Sequence, residues 1–317
     1  MINYLYASDD NFAKVLGVSL LSLCMSNNEN IGNIFIISQG ISDINKNKLK
    51  IIANKYNKEL TFLEMPNFDK IIGEKVDIKR YSASMFSRII IDRLLPKNID
   101  RIIYLDCDTM IRRDLTGLWD ANLKGKTLGA IDDFRSIYYQ RNLGINDKNR
   151  YINSGVLLID VNMYRKNKYE SKLIEAIKKY NGLLEFPDND AICKVLEDDI
   201  TLLPLRYNIT SVFYMTTPNE LIKLRKPVNK VTTQYIEREK DNAAITHFTT
   251  CFLMKGRPWL KGCTHPETSA YLKLYNETPW RDEDMADEKL NIKKKIFPLL
   301  ILLNLNLKNP LKLRFPI

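Results

Sequence analysis

An acidic pair follows a run of apolar residues in the first half of the chain. Residues 102–105 read Ile-Ile-Tyr-Leu, and Asp106, Cys107 and Asp108 come directly after them. Side chains alternate in an extended chain, so Asp106 and Asp108 are expected to point to the same side. Two carboxylates held so close repel each other unless a cation lies between them. Carboxylate oxygens suit Mg²⁺ or Mn²⁺, which also bind substrate phosphates. The pair therefore predicts a metal–diphosphate site at a strand end.

The same residues have a second interpretation. An Asp-x-Asp-x-Thr pattern after four apolar residues is also similar to the haloacid dehalogenase-type phosphatases, which use Mg²⁺. In those enzymes the first Asp is a nucleophile and the second a general acid. Their motif normally lies near the start of the chain, whereas Asp106 follows about a hundred residues of α/β pattern. The position favours the metal–diphosphate interpretation.

The chain has two histidines, His247 and His265. A lone histidine is more often structural than a ligand, but His247 follows the strand-like residues 243–246, which indicates a strand-end position. With Cys251 and Cys263, the two histidines also form a set that has the composition of a structural zinc site. Its spacing fits no common zinc module, and buried, inert thiols are the alternative for the cysteines.

The elements that must position these residues alternate between strand and helix. This pattern indicates an α/β fold with a largely parallel sheet, in which ligands collect at the carboxyl ends of the strands. The predicted strands are residues 2–7, 34–37, 60–63, 101–105 and 156–159. The predicted helices are residues 12–25, 44–56, 84–95 (ended by Pro96), 169–180 and 188–197.

The composition is that of a globular protein, with 45% hydrophobic residues in a chain of 317. The first ten residues do not have the pattern of a signal peptide, and no apolar run is long enough to span a membrane. Five cysteines without a Cys-x-x-Cys pair favour free thiols in a reducing cytoplasm.

Several short segments, in this order, resemble glycosyltransferase family 8. The resemblance covers residues 2 to about 260 and implies a GT-A-type nucleotide-diphospho-sugar transferase fold with a central, mostly parallel sheet. We expect this domain at residues 1–265 and a helical C-terminal extension at 266–317, which is basic and Leu-rich from residue 289. The segments that carry the resemblance are residues 6–12 (Tyr-Ala-Ser-Asp-Asp-Asn-Phe), 104–108 (Tyr-Leu-Asp-Cys-Asp), 151–159 (Tyr-Ile-Asn-Ser-Gly-Val-Leu-Leu-Ile), 187–190 (Pro-Asp-Asn-Asp) and 247–248 (His-Phe).

The resemblance implies a metal site and a nucleotide site. Asp106, Asp108 and His247 match the metal ligands of the family, and a nitrogen ligand shifts the preference toward Mn²⁺, with Mg²⁺ as the alternative. Ala7, Asp9 and Asn11 would hold the uridine and ribose of a UDP-sugar. A turn and helix cap between residues 7 and 12 is the alternative for these three, and both interpretations can hold together.

The resemblance also implies residues for the transferred sugar. Arg88 matches an arginine that contacts the donor sugar, although a surface arginine is the simpler interpretation from the residues alone. Asn153 and Asp188 match residues that bind the hexose hydroxyls, and Asn153 could instead cap a turn. Asn189 stands where the family often has Gln, near the anomeric carbon. We assign catalysis to Arg88, Asp188 and Asn189.

A phosphate contact is expected after the histidine. The family often has Gly followed by Lys-Pro-Trp there, whereas this chain has a longer loop in which Arg257 precedes Pro258 and Trp259. Arginine can grip a diphosphate with a bidentate fork. Either Arg257 or Lys255 is therefore predicted to contact the donor phosphates.

These observations predict a retaining, metal-dependent hexosyltransferase. It would move glucose or galactose from a UDP-hexose to a hydroxyl of a bacterial surface glycan, glycolipid or glycoprotein. A front-face route is favoured because an amide such as Asn189 is a weak nucleophile, and Asp188 is the candidate if a covalent intermediate forms. The alternatives are the Mg²⁺-dependent phosphatase and an inactive sugar- or nucleotide-binding protein.

The net charge of +10 is concentrated at the C-terminus, where all seven charged residues after Glu288 are basic. Basic residues beside the short apolar run 296–303 suit an anionic membrane surface, which predicts peripheral attachment through residues 289–317. A tail packed on the core or on a second subunit is the alternative. We expect a cytoplasmic protein, peripheral on the inner face of the membrane, with no nucleic-acid partner.

Overall fold

Ten strands lie in the part of the chain that the computed structural model describes, which is residues 1–72, 83–180, 184–228, 231–251 and 253–287. They form one large and one small sheet. The strands are β1 (Ile2–Asp9), β2 (Ile31–Gln39), β3 (Leu60–Glu64), β4 (Arg101–Leu105), β5 (Thr109–Ile111), β6 (Leu128–Asp132), β7 (Ile152–Asp160), β8 (Ile200–Leu202), β9 (Ile209–Thr210) and β10 (Ile245–His247).

The large sheet is mostly parallel. In the described residues its seven strands lie in the order β3-β2-β1-β4-β7-β6-β8. Only β7 runs against its neighbours β4 and β6, and the other pairings are parallel. The start of β7 therefore lies at the same edge as the carboxyl ends of β1, β4 and β6. The small sheet has the order β5-β10-β9, and β10 brings His247 opposite Thr109.

Both faces of the large sheet are covered, and its central strands send alternate side chains into two separate hydrophobic clusters. In β1, Tyr4 and Tyr6 belong to one cluster, whereas Leu5 and Ala7 belong to the other. The α/β class and the mostly parallel sheet predicted from the sequence are confirmed.

Helices and short 3₁₀ segments cover the two faces. The 3₁₀ segments in the described residues are η1 (Asp10–Phe12), η2 (Ala83–Arg88) and η3 (Leu205–Tyr207). The helices are α1 (Ala13–Asn27), α2 (Asp43–Asn54), α3 (Phe68–Ile72), α4 (Ile91–Leu94), α5 (Thr116–Trp119), α6 (Ile137–Asn142), α7 (Val161–Lys166), α8 (Tyr169–Tyr180), α9 (Pro187–Val195), α10 (Ser211–Met215), α11 (Pro218–Arg225), α12 (Thr233–Asp241) and α13 (Thr268–Tyr275).

The predicted helix over residues 84–95 is wrong. The segment is divided into η2 and α4, and Ile89 and Ile90 lie between them. Ile89, Ile90 and Ile91 are all fully buried. The backbone N–H groups of Ile89 and Ile90 donate to the carbonyls of Phe86 and Ser87, three residues earlier, and Ile90 has φ −100° and ψ 28°, outside the helical region, so one continuous α-helix is interrupted there. The other predicted helices and strands are confirmed, with shifted ends.

The described part of the C-terminal extension, residues 266–287, packs on the main core. Tyr271, Tyr275 and Trp280 belong to the same hydrophobic cluster as α1. The proposed boundary at residue 265 remains a prediction. The basic tail, residues 289–317, lies outside the described residues. No described helix is both long enough and apolar enough to cross a membrane.

Candidate active site

The acidic pair lies in a turn between the two sheets. β4 ends at Leu105, and the backbone N–H of Thr109 donates to the carbonyl of Asp106 at 3.3 Å before β5 begins. The thiol of Cys107 donates to the carbonyl of Ala7 at 2.9 Å and so points away from the carboxylates. The two aspartates are thus brought together by a turn, and the alternation of an extended strand, from which their proximity was predicted, is not the reason.

His247 ends β10 and faces both carboxylates. Its Nε2 lies 3.1 Å from Asp108 Oδ1 and 3.8 Å from Asp106 Oδ2. Its Nδ1 lies 2.9 Å from the side-chain amide oxygen Oδ1 of Asn208. Because that oxygen can only accept, Nδ1 carries a proton, and Nε2 is the nitrogen that would be available to a metal ion.

These three residues fit a divalent cation. In the described residues, Asp106, Asp108 and His247 are the only group of three or more potential ligands, and their ligand atoms lie within 4.8 Å of one another. The cradle has no room for a side chain on β7. A Cβ at Gly155 would stand 2.7 Å from Asp106 Oδ2 and 2.9 Å from His247 Nδ1. The sequence motif contained this glycine, but its role could not be inferred without the contact.

The charges of the site influence one another. Burial alone would raise the pKa of Asp108, but His247 and Arg257 outweigh it and hold that pKa below its ordinary value. Burial opposes a charge on His247, yet Asp108 and then Asp106 raise the pKa of the ring. A metal ion that binds here would displace the proton shared by His247 and Asp108.

Arg88 is buried against Asp106, one of the candidate metal ligands, so it is not a surface arginine. Its Nη2 donates to Asp106 Oδ1 at 2.6 Å, and its Nη1 donates to the carbonyl of Ser154 at 2.8 Å. The guanidinium lies 4.6 Å from the ring centroid of Tyr104, whose hydroxyl also donates to Asp106. Arg88 therefore joins η2 to the ends of β4 and β7.

Asp188 and Asn189 begin α9 and have different environments. Asp188 is 2% exposed, its Oδ2 lies 3.3 Å from Arg88 Nε, and its Oδ1 has no hydrogen-bond partner. Burial raises the pKa of Asp188, and Arg88 only partly offsets this. Asn189 accepts from the N–H of Ser154 at 2.7 Å and donates to the carbonyl of Ile152 at 3.0 Å. Its amide is thus committed to the backbone of β7.

Of the two candidate phosphate contacts, Arg257 is the one beside the carboxylates. Its Nη1 donates to Asp108 Oδ2 at 3.0 Å, its Nη2 donates to Thr250 Oγ1 at 2.9 Å, and its guanidinium lies over Trp259. Lys255 is exposed and lies in the same loop. The structure brings Arg257 to the candidate metal site and does not place Lys255 against Asp106, Asp108 or His247.

The predicted nucleotide residues lie at the carboxyl end of β1. Ala7 is buried, Asp9 accepts from the N–H of Phe12 at 3.0 Å as the cap of η1, and Asn11 is exposed. The capping interpretation of Asp9 is confirmed. The role of the three residues in binding uridine remains a prediction.

Asn153 lies inside β7, and its side chain links the sheet to the histidine. Its Oδ1 accepts from the N–H of Gly155 at 3.0 Å and from Asn208 Nδ2 at 2.9 Å. Its Nδ2 donates to Asp133 Oδ1 at 3.5 Å. Asn208 thereby holds both His247 and Asn153. No local motif marks Asn208, so sequence reasoning missed it.

The alternative zinc set is not formed. His265 Nδ1 accepts from the N–H of Glu267 at 3.1 Å, and its ring packs against Phe248 and Tyr214. Cys263 accepts from the N–H of His265 and from Thr268 Oγ1. Within the described residues, these four side chains do not form a group of potential metal ligands. The one group found there contains His247 and none of Cys251, Cys263 and His265.

Comparisons with known proteins agree with this geometry. The profile of glycosyl transferase family 8 matches residues 3–263. General stress protein A of Bacillus subtilis (strain 168) is 27% identical over 277 residues, which cover 86% of this chain and 92% of that protein. A lipopolysaccharide 1,2-glucosyltransferase of Escherichia coli (strain K12) is 24% identical over 305 residues, covering 95% and 86% respectively.

A solved structure shows the same fold. The galactosyltransferase LgtC, crystallised with donor and acceptor sugar analogues, matches with a TM-score of 0.74 at 22% identity, covering 88% of this chain and 99% of LgtC. Fold and site together define a glycosyltransferase of the GT-A type. The chain belongs to glycosyltransferase family 8, which implies a nucleotide-sugar donor and a glycan or lipid acceptor. The predicted family, fold and enzyme class are confirmed, and the phosphatase and inactive-protein alternatives are not supported.

Proposed function

We propose that this enzyme is a retaining transferase that moves glucose or galactose from a UDP-hexose to a hydroxyl of a glycan, glycolipid or glycoprotein. The observation that carries the proposal is the cluster of Asp106, Asp108 and His247 with a guanidinium on each carboxylate. Such a cluster suits a cation together with the phosphates that follow it into the site.

The charge balance supports a diphosphate ligand. Three carboxylates, of Asp106, Asp108 and Asp188, face the guanidiniums of Arg88 and Arg257. With a neutral His247 the cluster has one excess negative charge, which a divalent cation would turn into one excess positive charge. That charge and the donor fork of Arg257 favour a negatively charged diphosphate.

Asp106, Asp108 and His247 would hold the cation, and we propose Mn²⁺ because one ligand is a nitrogen. When bound, the ion supplies Lewis acidity that stabilises the UDP leaving group. Arg257 then orients the diphosphate, and Ala7, Asp9 and Asn11 receive the uridine and ribose. Asn153 and Asp188 bind hydroxyls of the hexose, for which the unpartnered Oδ1 of Asp188 is available.

A front-face reaction agrees best with the environment of Asn189. A double displacement needs a nucleophile at the anomeric carbon, and both ends of the Asn189 amide are bonded to β7. We propose that the acceptor hydroxyl attacks from the leaving-group side and that a departing phosphate oxygen takes its proton. The ion pair with Arg88 favours the ionised form of Asp188 against the effect of burial and keeps the carboxylate in place beside the sugar.

For the whole enzyme we propose a cytoplasmic location, with residues 289–317 on the anionic inner face of the membrane. The support is the run of basic residues beside an apolar segment in the tail. An acceptor linked to a lipid would be concentrated at that surface. The alternative is a tail packed on the core or on a second subunit.

A thermal-shift panel tests the donor site. UDP, GDP and ADP are each added with Mn²⁺, with Mg²⁺ and with a chelator. A ligand that binds only the native state stabilises it by about 2.7 kcal/mol at a hundred times its Kd. We expect the largest rise in Tm from UDP with Mn²⁺ and little from UDP with the chelator. An equal rise with GDP or ADP would contradict a uridine site.

A panel of UDP-sugars, scored by hydrolysis without acceptor, then selects the hexose. UDP-glucose or UDP-galactose is expected to be hydrolysed fastest. If a UDP-sugar of another class is preferred, the assignment of a neutral hexose is wrong while the uridine site stands.

A further inference from the structure

Two arginines outside the metal site lie on one carboxylate. Arg135, just after β6, has its Nε 3.0 Å from Asp133 Oδ2, and Arg225, at the end of α11, has its Nη1 4.0 Å from the same oxygen. Three aromatic rings surround the first guanidinium, whose Cζ lies 5.4 Å from the centroids of Tyr139 and Tyr151 and 5.0 Å from that of Phe186. We call these two residues and Asp133 the arginine cluster.

The guanidiniums of the arginine cluster donate no hydrogen bond to any described residue. The side chains of Arg135 and Arg225 are 16% and 18% exposed. Arg165, at 15%, donates to Asp92 and to four backbone carbonyls. The cluster thus differs from Arg165 at similar burial, and the Nε of Arg135 and the Nε of Arg225 are each buried without a hydrogen-bond partner, which is costly.

The cluster also lacks negative charge. Within the described residues, Asp133 is the only carboxylate in ion-pair distance of either guanidinium, and its Oδ2 has no hydrogen-bond partner. Asp133 is therefore shared by two half-buried guanidiniums. Asp190 also acts on Arg135, but from beyond ion-pair distance, and it accepts hydrogen bonds from Tyr139 and Tyr151. A second anion from outside the described chain would give the arginines a direct counter-charge and an acceptor for their unused donors.

The cluster adjoins the sugar side of the donor site. A chain of polar contacts runs from Asp108 through His247 and Asn208 to Asn153, and Asn153 donates to Asp133. The diphosphate contact Arg257 lies at the opposite end, on Asp108. A substrate group that reaches the cluster therefore lies beyond the transferred sugar.

We infer that the arginine cluster binds an anionic group of the acceptor, a carboxylate or a phosphate close to the hydroxyl that receives the sugar. This inference rests on the proposed function, because it takes Asn153 as part of the donor-sugar site. Arginine presents paired N–H donors that match either oxyanion bidentately. The aromatic rings around Arg135 keep the guanidinium in place for that contact.

The acceptor is the better source of the anion than the donor sugar. Asp133 stands between Asn153 and the two arginines. A carboxylate on the donor sugar would have to approach Asp133, and the two negative charges would repel each other. An anion of the acceptor need not pass between Asn153 and Asp133 to reach the guanidiniums.

Matched probes test the inference by calorimetry, with the donor site filled by UDP and Mn²⁺. Methyl glucuronide is compared with methyl glucoside, and glycerol 3-phosphate with glycerol, which separates a sugar acid from a phosphate headgroup. We expect at least one charged probe to bind at least tenfold tighter than its neutral counterpart. In a double variant with Arg135→Gln and Arg225→Gln this preference should vanish. The control Arg281→Gln removes a 65% exposed charge and should keep it.

A second variant is expected to change the affinity for the charged probe in the opposite direction. Asp133→Asn removes the only counter-charge in the cluster, so the charged probe should bind several-fold tighter than to the wild type. The inference is overturned if the wild type does not prefer either charged probe, if the preference survives in the double variant, or if Asp133→Asn weakens binding. If the wild type prefers UDP-uronic acids as donors and the double variant loses that preference, the site belongs to the donor.

The proposed function fails in a different titration. If wild-type protein does not bind UDP with Mn²⁺, the donor assignment is wrong whatever the charged probes do. If UDP binds and the charged probes do not, the donor site stands and the acceptor inference is rejected.

Discussion

Gly155 shows how closely single residues control this site. It lies on β7 against Asp106 and His247, and a Cβ there would stand 2.7 Å from the carboxylate oxygen. Two ligands held by other hydrogen bonds would have to move. Gly155→Ala should therefore lower the affinity for Mn²⁺ at least tenfold and abolish transfer, while the protein stays folded.

Gly129→Ala is the matched control, in the neighbouring strand of the same sheet. Its Cβ would meet Leu123 Cδ2 and Leu203 Cδ1, each at 2.8 Å, which are ends of flexible side chains. It should cost about 1–3 kcal/mol of stability and leave the Mn²⁺ affinity unchanged. Equal Mn²⁺ affinities in Gly155→Ala and the wild type, measured by paramagnetic titration, would contradict the placement of the cation.

The free energy of unfolding is expected to depend on pH through the protonation of His265. Burial lowers its pKa to about 4 in the folded state, whereas an unfolded histidine has a pKa of about 6.5. Between these values only the unfolded state binds the proton, so stability falls as the pH falls from 6.5 to 4. One pKa unit corresponds to about 1.4 kcal/mol, which makes the whole loss on the order of 3 kcal/mol.

His265→Asn keeps an acceptor for the N–H of Glu267 and cannot be protonated. Urea unfolding at pH 7.5 and pH 4.5 should show a smaller loss of stability in the variant than in the wild type. Asp132, whose pKa burial raises to about 6, contributes with the opposite sign in both proteins and cancels in the comparison. Parallel pH curves for the two proteins would show that His265 does not titrate as stated.

At the residue scale, the sequence predicted which residues form the site better than it predicted why they lie together. Asp106, Asp108 and His247 were predicted together, and the structure brings them together. The proximity of the aspartates was predicted from strand alternation, but a turn produces it. Asn208 and the arginine cluster were missed, because their contacts join segments far apart in the chain and no local spacing records them.

At the scale of elements, α1 and the segment after α13 fix each other. Trp280 is 2% exposed, and its Nε1 donates to Asn45 of α2 at 3.1 Å. A Cβ at Gly17, in the middle of α1, would stand 2.5 Å from Trp280 Cζ3. The glycine is therefore the space that lets the indole ring reach the helix.

This contact predicts that the effect of Gly17→Ala changes sign with its background. In the wild type the methyl group overpacks the ring and should cost about 1–3 kcal/mol. Trp280→Ala alone should cost about 3–5 kcal/mol. In the Trp280→Ala background the same Gly17→Ala should stabilise by up to about 1 kcal/mol, because alanine favours a helix.

The measurement is a double-mutant cycle from denaturant unfolding. A coupling energy above about 1 kcal/mol is expected for residues in direct contact. Additive effects of the two substitutions would show that the segment after α13 does not pack on α1 in solution.

The order and type of the longer elements could be predicted from periodicity, because apolar runs set both, whereas short strands such as β5 and β9 were not predicted. The division of residues 84–95 could not, since it depends on the non-helical backbone of Ile90 between η2 and α4, which no apolar pattern records. The contribution of residues 266–287 to the main core also lay beyond the sequence. Trp280 meets Gly17 only after the chain has folded.

At the scale of the whole molecule, the charge of the tail bears on where the enzyme works. Lys289 and the basic residues after it are expected to attract an anionic bilayer by about 1 kcal/mol each. Full-length protein should float with liposomes that contain anionic lipid at low salt and remain behind with neutral ones. A variant that ends at residue 288 should not float with either.

High salt should release the full-length protein, because screening weakens the attraction. If the full-length protein stays with the unbound fraction on anionic liposomes at low salt, the tail has a structural role and the proposal of membrane attachment is withdrawn. The donor site does not depend on this outcome.

The central claim is that Asp106, Asp108 and His247 hold a cation at which a UDP-hexose reacts, and UDP release tests it most directly. The enzyme is incubated with UDP-glucose or UDP-galactose and Mn²⁺, and UDP and inorganic phosphate are both measured. We expect Mn²⁺-dependent release of UDP without phosphate, lost with a chelator and in Asp108→Asn, and kept in Asp120→Asn, which changes an exposed carboxylate. Undiminished Mn²⁺-dependent release of UDP by Asp108→Asn would contradict the account.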